Sequence, residues 1–548
     1  MKFEDKIIYQ IYPKSFNDSN GDGVGDLQGI IDKIPYLKQL NIDMIWFNPF
    51  FISPQNDNGY DISDYYHIDS RFGTMADFEE LVSRLKAIGI EVMLDMVFNH
   101  TSTEHDWFQK ALNGDSKYLD YYYVRDPKPD GSPPTNWQSK FGGSAWEPFG
   151  ETGKYYLHLY DPTQADLDWH NPAVREEMSK VVNFWRGKGV KGFRFDVINV
   201  IGKDVQLIDA PENRDGKFLY TDKKIVHQYL RELNQTSFGQ DPDAVTVGEM
   251  SSTSIENCVE YTLAERNELS MVFTFHHLKV DYKHGNKWST TPFNFMNLKT
   301  ILNDWQLGMT AGHGWNALFW NNHDQPRALN RFGDPIHYRE KSSEMLATTI
   351  HLLRGTPFIY MGEEIGMSNP QYEKLSDYND VETKNAYAEL LENGNSPAEA
   401  LTIIQAKSRD NSRTPMQWNQ SKYAGFSTQT PWLMPTNQAI VNVENELANG
   451  EIFNYYQGLI RLRKTHPIIS MGDYAPLLLN NTRVFAYQRI LKNQRLIVLN
   501  NFYGKETIVS LPEFNGTVST IINNYPINTA LTTSVTLAPY QSVAFLVN

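Results

Sequence analysis

The sequence predicts an α/β fold: a (β/α)8 TIM barrel with an inserted subdomain after strand 3 and a C-terminal all-β domain. Three observations predict it. Short apolar runs alternate eight times with amphipathic stretches of helical period, as expected of parallel strands each followed by a helix. After residue 468 that rhythm gives way to closely spaced short runs with strand character. The chain has 548 residues, room for a barrel of about 250 plus insertions and a further domain.

Taken in order, residues 7–16 read as the first strand and 27–40 as the first helix. Residues 43–50 make the second strand, and 76–88 a helix with Phe78, Leu81, Val82 and Leu85 on one face. Strand three spans 91–99. The alternation then breaks. Residues 101–169 are polar and rich in Tyr, Trp, Gly and Pro, with Pro127, Pro129, Pro133 and Pro134 close together. That stretch is too long for an ordinary connection and reads as an inserted subdomain B. Helix 173–188 and strand four, 192–197, resume the pattern, followed by strands at 245–250, 269–276, 316–322 and 356–361. The barrel is thus assigned to 1–100 and 170–470, with 365–455 a polar, irregular excursion over its mouth and 453–464 a closing helix. Residues 471–548 form the terminal β-sandwich, with strands at 484–490, 496–500, 506–510, 518–522 and 542–546.

Composition narrows the partners. A net charge of −15 argues against nucleic acid and against an anionic membrane surface, so an anionic substrate would need a local basic pocket. The single cysteine, Cys258, excludes an internal disulfide and a Cys-based metal site. No apolar run approaches the roughly 18 residues that span a bilayer, and the first five residues lead straight into strand one without a signal core. A cytoplasmic protein is expected. No coiled-coil heptad indicates an oligomer; a monomer is compatible with everything in the chain.

In such a barrel, active sites form at the C-terminal ends of the strands. Strand four ends in Arg194-Phe-Asp196, whose charged side chains point to the same side. A guanidinium beside a carboxylate favours its ionised form, which suits a nucleophile, although a purely structural pair has the same signature. Strand three ends in Asp95-Met-Val-Phe-Asn-His100, strand five in Glu249, and strand seven in His323-Asp324. Carboxylates in unequal environments are the minimum for glycoside hydrolysis. Asp196 is the better nucleophile. Glu249, on an apolar strand without an adjacent cation, is the better proton donor, because desolvation raises a carboxyl pKa.

These four strand ends resemble the conserved regions of the α-amylase family of glycoside hydrolases (family 13), over essentially the whole chain, and Gln164-Ala-Asp-Leu-Asp168 resembles a fifth. The resemblance implies that Asp196 is the nucleophile of a retaining reaction through a covalent glycosyl-enzyme. Glu249 is then the acid/base and Asp324 a third carboxylate that grips sugar hydroxyls. His100, Arg194 and His323 match residues that hold the first sugar, as do Asp57 and Tyr60. Arg409 matches an arginine reaching the same subsite, with Arg413 as the alternative. Val197, after the nucleophile, resembles members that avoid α-1,4 bonds.

The segment 269–282 separates two branches of the family. Oligo-1,6-glucosidases carry Glu at position 276 and Asp at position 279; here those positions are His276 and Lys279. The form seen here is similar to the branch that hydrolyses trehalose 6-phosphate to glucose and glucose 6-phosphate. Exchanging two acids for a histidine and a lysine favours a phosphate by about two to three charge units. His276, Lys279 and Lys287 are the candidate phosphate contacts, extended by Lys283 and His284. The expected substrate is therefore a phosphorylated disaccharide, its phosphorylated glucose in the leaving-group subsite. The alternative is an oligo-1,6-glucosidase acting on isomaltose-type bonds. A catalytically dead ectodomain that escorts a transporter is set aside, because Asp196, Glu249 and Asp324 are all kept. No organic cofactor is implied.

Asp18-Ser-Asn-Gly-Asp-Gly-Val-Gly-Asp26 places oxygens at Asp18, Asn20, Asp22 and Asp26, with the Val24 carbonyl between, like the first part of an EF-hand loop. Gly29 occupies the twelfth position, so no bidentate glutamate closes it. α-Glucosidases of the family carry a matching site, which implies one structural Ca2+, with Mg2+ as alternative, remote from the chemistry. An ordinary Asp/Gly turn is the plain alternative.

Overall fold

In the computed structural model, which describes residues 2–212 and 216–548, eight short strands form one sheet. They are β1 (Ile8–Ile11), β2 (Met44–Phe47), β3 (Glu91–Met96), β4 (Gly192–Phe195), β5 (Val245–Glu249), β6 (Met271–Phe273), β7 (Ala317–Leu318) and β8 (Thr356–Tyr360). Their order, β6-β5-β4-β3-β2-β1-β8-β7, steps through neighbours in sequence except where β1 meets β8, as in a (β/α)8 barrel. Nearly every strand residue is buried, because a parallel sheet is covered on both faces. This explains why the strands read as continuous apolar runs. Strands six and seven are shorter than expected, since the chain turns at His276–Leu278 and leaves the sheet before Asn321.

The chain divides into two compact units, one of Trp46–Phe275 with Asp380–Asn385, the other of Met1–Ile45, His276–Asn379 and Ala386–Asn548. In the first, helix Met75–Ala87 opens with a Thr74/Asp77 capping box and buries Phe78, Leu81, Val82 and Leu85, the face its spacing marks. Helix Pro172–Gly187 sends Trp185 against Phe50, Phe51 and Phe78. Residues 101–169 carry a three-stranded antiparallel sheet, and strand Gln164–Asp166 pairs with His100–Ser102, placing Asp166 opposite His100. An apolar cluster of Tyr123, Trp137, Trp146 and Leu157 reaches Val197 and Val200.

In the second unit, residues 365–379 and 386–455 hold more regular structure than their polarity suggests. Helices Pro397–Lys407 and Val443–Asn449 lie there, the first begun by a Ser396/Glu399 capping box. Helix Ile452–Thr465 matches the expected closing helix. The C-terminal all-β region comprises β9 (Asp473–Leu477), β10 (Val484–Leu491), β11 (Gln494–Asn501), β12 (Thr507–Ser510), β13 (Val518–Asn523), β14 (Ser534–Leu537) and β15 (Ser542–Val547). Five of these form the sheet β9-β10-β11-β15-β13, and β12 pairs with β14. Val484, Ile497, Val509, Val535 and Phe545 fill the core between them. Among the described residues, no helix is long and apolar enough to cross a membrane.

Candidate active site

Arg194 organises the polar side of the first unit. Parallel register sets it beside Asp95 on β3 and Val247 on β5. Its Nη1 donates to Asp95 Oδ1 at 2.6 Å and to Asp196 Oδ1 at 2.7 Å, while Nη2 donates to Glu249 Oε2. Only 1% of this arginine is exposed. Burial works against its charge, but Asp95, Glu249 and Asp196 together hold its pKa well above the ordinary range. Three carboxylates lean on one guanidinium, and burial pushes Asp95 up to about 6 despite that contact. Trp46 and Tyr60 complete the enclosure: Tyr60 Oη donates to Asp95 Oδ2 at 2.8 Å, and the guanidinium lies 5.1 Å from the Trp46 ring.

This overturns one expectation. Glu249 has a cation against it, the same one as Asp196. Adjacency along the chain shows only the Arg194–Asp196 pair, whereas the contacts to Asp95 and Glu249 arise laterally, through strand register. Asp196 itself is followed by Val197 at φ +38°, ψ +38°, a left-handed conformation that a β-branched residue rarely adopts. Such strain of about 1–3 kcal/mol marks positions where the backbone must turn to aim a side chain.

His100 and its neighbours form a second layer in the same unit. Gln164 Nε2 lies 3.1 Å from Asp57 Oδ2, 3.1 Å from the Tyr60 carbonyl and 3.2 Å from His100 Nε2. The structure thus brings together Asp57, Tyr60, His100 and Arg194, all singled out in the sequence, and adds Gln164. Behind His100, Asn99 Nδ2 donates to Asp166 Oδ2 at 3.1 Å, and the fully buried Lys203 binds Asp166 at 2.8 Å and Asn99 Oδ1 at 2.9 Å. Burial lowers the His100 pKa to about 4, so the imidazole is neutral near pH 7. Sequence reasoning missed Asp95, Asp166 and Lys203 as members of the site. Asp95 and Asp166 lay inside quoted motifs; Lys203 carried no pattern.

In the second unit, Asp324 is the focus. Arg413 Nη2 donates to its Oδ1 at 2.8 Å, Arg409 Nη1 reaches the same oxygen at 3.3 Å, and His323 Nε2 lies 3.2 Å from Oδ2. Arg413 Nε also donates to the His323 carbonyl at 2.8 Å, and Gln10 sits 3.0 Å from His323 Nδ1. Both candidate arginines therefore attend Asp324, with Arg413 the shorter contact. The basic segment is more dispersed. His276 packs on Trp305 with ring centroids 4.9 Å apart, Lys279 is exposed, and the Lys287 ammonium lies 4.7 Å from the Trp288 ring.

A family profile described as "Alpha amylase, catalytic domain" matches residues 10–472, and one described as "Alpha-amylase SusG C-terminal domain" matches 484–544. The chain belongs to the α-amylase family of glycoside hydrolases. Within that family it is 50% identical to a trehalose-6-phosphate hydrolase of Bacillus subtilis (strain 168), over 98% of this chain and 97% of the relative. It is 43% identical to an oligo-1,6-glucosidase of Bacillus cereus, over 99% of each. A crystal structure of Bacillus licheniformis trehalose-6-phosphate hydrolase superposes with a TM-score of 0.95 at 51% identity, covering all of both chains.

In this α-amylase-family chain the loop of residues 18–26 curls on its own acidic side chains. Asp18 Oδ1 accepts from the amides of Asn20 and Gly21 at 3.1 and 2.7 Å, and its Oδ2 accepts from Gly23 at 2.8 Å and from the Ser427 hydroxyl at 2.5 Å. Gly23 adopts φ +91°, and a Cβ there would lie 2.3 Å from the Thr430 carbonyl oxygen, so only glycine fits. Asp26 caps helix Leu27–Asp32 by accepting from Gly29 N. Carboxylates, an amide oxygen and the Val24 carbonyl are the hard donors a Ca2+ ion takes. Among the described residues, no three His, Cys, Asp or Glu side chains are gathered as a ligand set.

Proposed function

We propose that this chain is a retaining α-glucosidase that hydrolyses trehalose 6-phosphate to glucose and glucose 6-phosphate. The observation that carries the mechanism is the sharing of Arg194 by Asp196 and Glu249. Carboxylates held on the two arms of one guanidinium favour the close spacing of retaining enzymes, about 5–5.5 Å, over the wider gap of inverting ones. Asp196 attacks the anomeric carbon while Glu249 gives its proton to the departing oxygen, leaving glucosyl bound to Asp196 as an ester. Glu249, now ionised, takes a proton from water, and the water oxygen displaces Asp196 to release glucose with retained configuration. Asp324 is the third carboxylate, gripping sugar hydroxyls. Asp57, Tyr60, His100, Arg194, His323 and Arg409 hold the glucosyl ring, and Arg413 belongs with them through its contact to Asp324.

The substrate assignment draws support from the identity to a trehalose-6-phosphate hydrolase exceeding that to an oligo-1,6-glucosidase, 50% against 43%. It draws further support from His276 and Lys279, with Lys287, as donors for the phosphate of the leaving sugar. The reading is tested by glucose release from trehalose 6-phosphate, trehalose and isomaltose at equal concentration. Strong preference for the phosphorylated sugar is expected. Preference for isomaltose would replace this reading by oligo-1,6-glucosidase. Lys279→Ala should raise KM for the phosphorylated sugar far more than for an unphosphorylated one; equal effects would remove the basic segment from the site.

We also propose that Asp18, Asn20, Asp22, Val24 and Asp26 hold a structural Ca2+, with Mg2+ as the competing ion. Chelation should lower the melting temperature, and Ca2+ should restore it more fully than Mg2+. A melting temperature indifferent to both would reduce the loop to a self-capped turn. For domain organisation, residues 101–169 are proposed as an insertion into a barrel of 1–100 and 170–470.

A further inference from the structure

Helices Ala328–Phe332 and Pro397–Lys407, with the loops at 290–293, 368–373 and 437–441, border an open pocket of about 790 Å3 in the second unit. Neither His323, Asp324, Arg409 nor Arg413 lines it. Its size is that of an ordinary small-molecule pocket, about 300–1,000 Å3.

The polar part of its lining is built around Asp281. Arg331 donates through Nε to Asp281 Oδ2 at 3.0 Å and through Nη2 to Oδ1 at 2.8 Å, and Lys407 Nζ reaches Oδ2 at 2.6 Å. Two cations therefore share one carboxylate, and all three side chains are at most 7% exposed. Burial brings the Lys407 ammonium down to about 8 in spite of Asp281, and the charge of Arg331 adds to that lowering. The other charged groups on the lining are Arg339, which lies 3.7 Å from Glu446, and Glu373 at the exposed rim. Asn330, Gln371, Thr290 and Thr402 supply amides and hydroxyls, and Tyr372 and Phe293 supply flat apolar faces. Hydrogen-bonding groups beside aromatic rings suit a sugar, and an Arg–Lys pair short of one negative charge suits a phosphate.

We propose that this pocket is a second carbohydrate site, taking a phosphorylated monosaccharide with its phosphate toward Arg331 and Lys407. The proposal is independent of which disaccharide is hydrolysed.

The test is calorimetric titration of the full chain with glucose 6-phosphate. Thr402, exposed on its helix, is replaced in Thr402→Trp to fill the pocket, and Thr290→Trp fills it from a different element should the first variant not fold. Each should remove one binding event while leaving disaccharide hydrolysis intact, whereas Asp324→Asn should spare that event. Glucose should bind the site at least tenfold more weakly than glucose 6-phosphate, and inorganic phosphate should compete. Binding unchanged in both tryptophan variants, or glucose binding as tightly as its phosphate, would overturn the proposal.

Discussion

Two acidic clusters in this molecule solve opposite charge problems. Around Arg194, three carboxylates divide one guanidinium; around Asp324, two guanidiniums and an imidazole attend one carboxylate. In the first cluster burial outweighs the shared cation, so a proton is readily retained, as the upward shift of Asp95 to about 6 shows. That is the condition for moving protons. The second cluster has two guanidinium donors on one carboxylate oxygen and an imidazole nitrogen 3.2 Å from the other, which fixes the group in place. That is the condition for holding a ligand.

The contrast is broken most directly by Arg194→Met, which leaves three buried carboxylates without their cation. Removing one partner of a buried charge set destabilises the fold by about 3–5 kcal/mol, so the melting temperature should drop, and kcat/KM should fall by about a hundred- to thousandfold, the scale of removing one electrostatic donor from an active site. A loss below tenfold would mean that the cluster does not depend on the shared guanidinium. Lys203→Met strips the buried partner from Asp166 behind His100 and should destabilise the fold by a similar about 3–5 kcal/mol. Urea denaturation measures this, and KM should rise as His100 loses its backing. Arg413→Lys keeps the charge beside Asp324 but removes the hydrogen bond to the His323 carbonyl. Hydrogen bonds from charged groups are worth about 1.5–3 kcal/mol, so a lower melting temperature is expected, with a loss of kcat/KM of about 10- to 150-fold if the whole of that contact bears on the reaction. The smallest effect concerns pH. Asp95 keeps its proton in the folded state up to about 6 but loses it near 4 when unfolded. Its contribution therefore favours folding below pH 4 and declines as pH rises from 4 to 6. Asp95→Asn should remove that decline from stability measured across the window; an unaltered slope would exclude Asp95 as its source.

Much of this was legible from the residues alone. Eight apolar runs marked eight strands, because parallel strands covered on both faces must be apolar throughout. Their ends were less legible: Ala317–Leu318 is far shorter than the run from 316 to 322, since aromatic and amide side chains beyond it are buried by turns rather than by a sheet. Strands Asp473–Leu477 and Ser534–Leu537 were missed because only one residue of the first and two of the second are buried, which dilutes the apolar signal. Of the site residues, those in one motif could be paired by spacing, as Arg194 with Asp196. Contacts made across strands could not. Glu249 gained its cation through register, and Lys203 joined Asp166 across 37 positions through a fold that no local pattern announces.

The left-handed turn at Val197 has a consequence for residues far from any sugar. Its side chain is held in an apolar cluster with Tyr123, Trp137, Leu157 and Val200, and this packing keeps a disfavoured backbone from relaxing. The cluster therefore acts as a clamp on the aim of Asp196. Thinning it by one ring would take apolar contacts from the residue that follows Asp196, so side chains of the inserted segment bear on where that carboxylate is held.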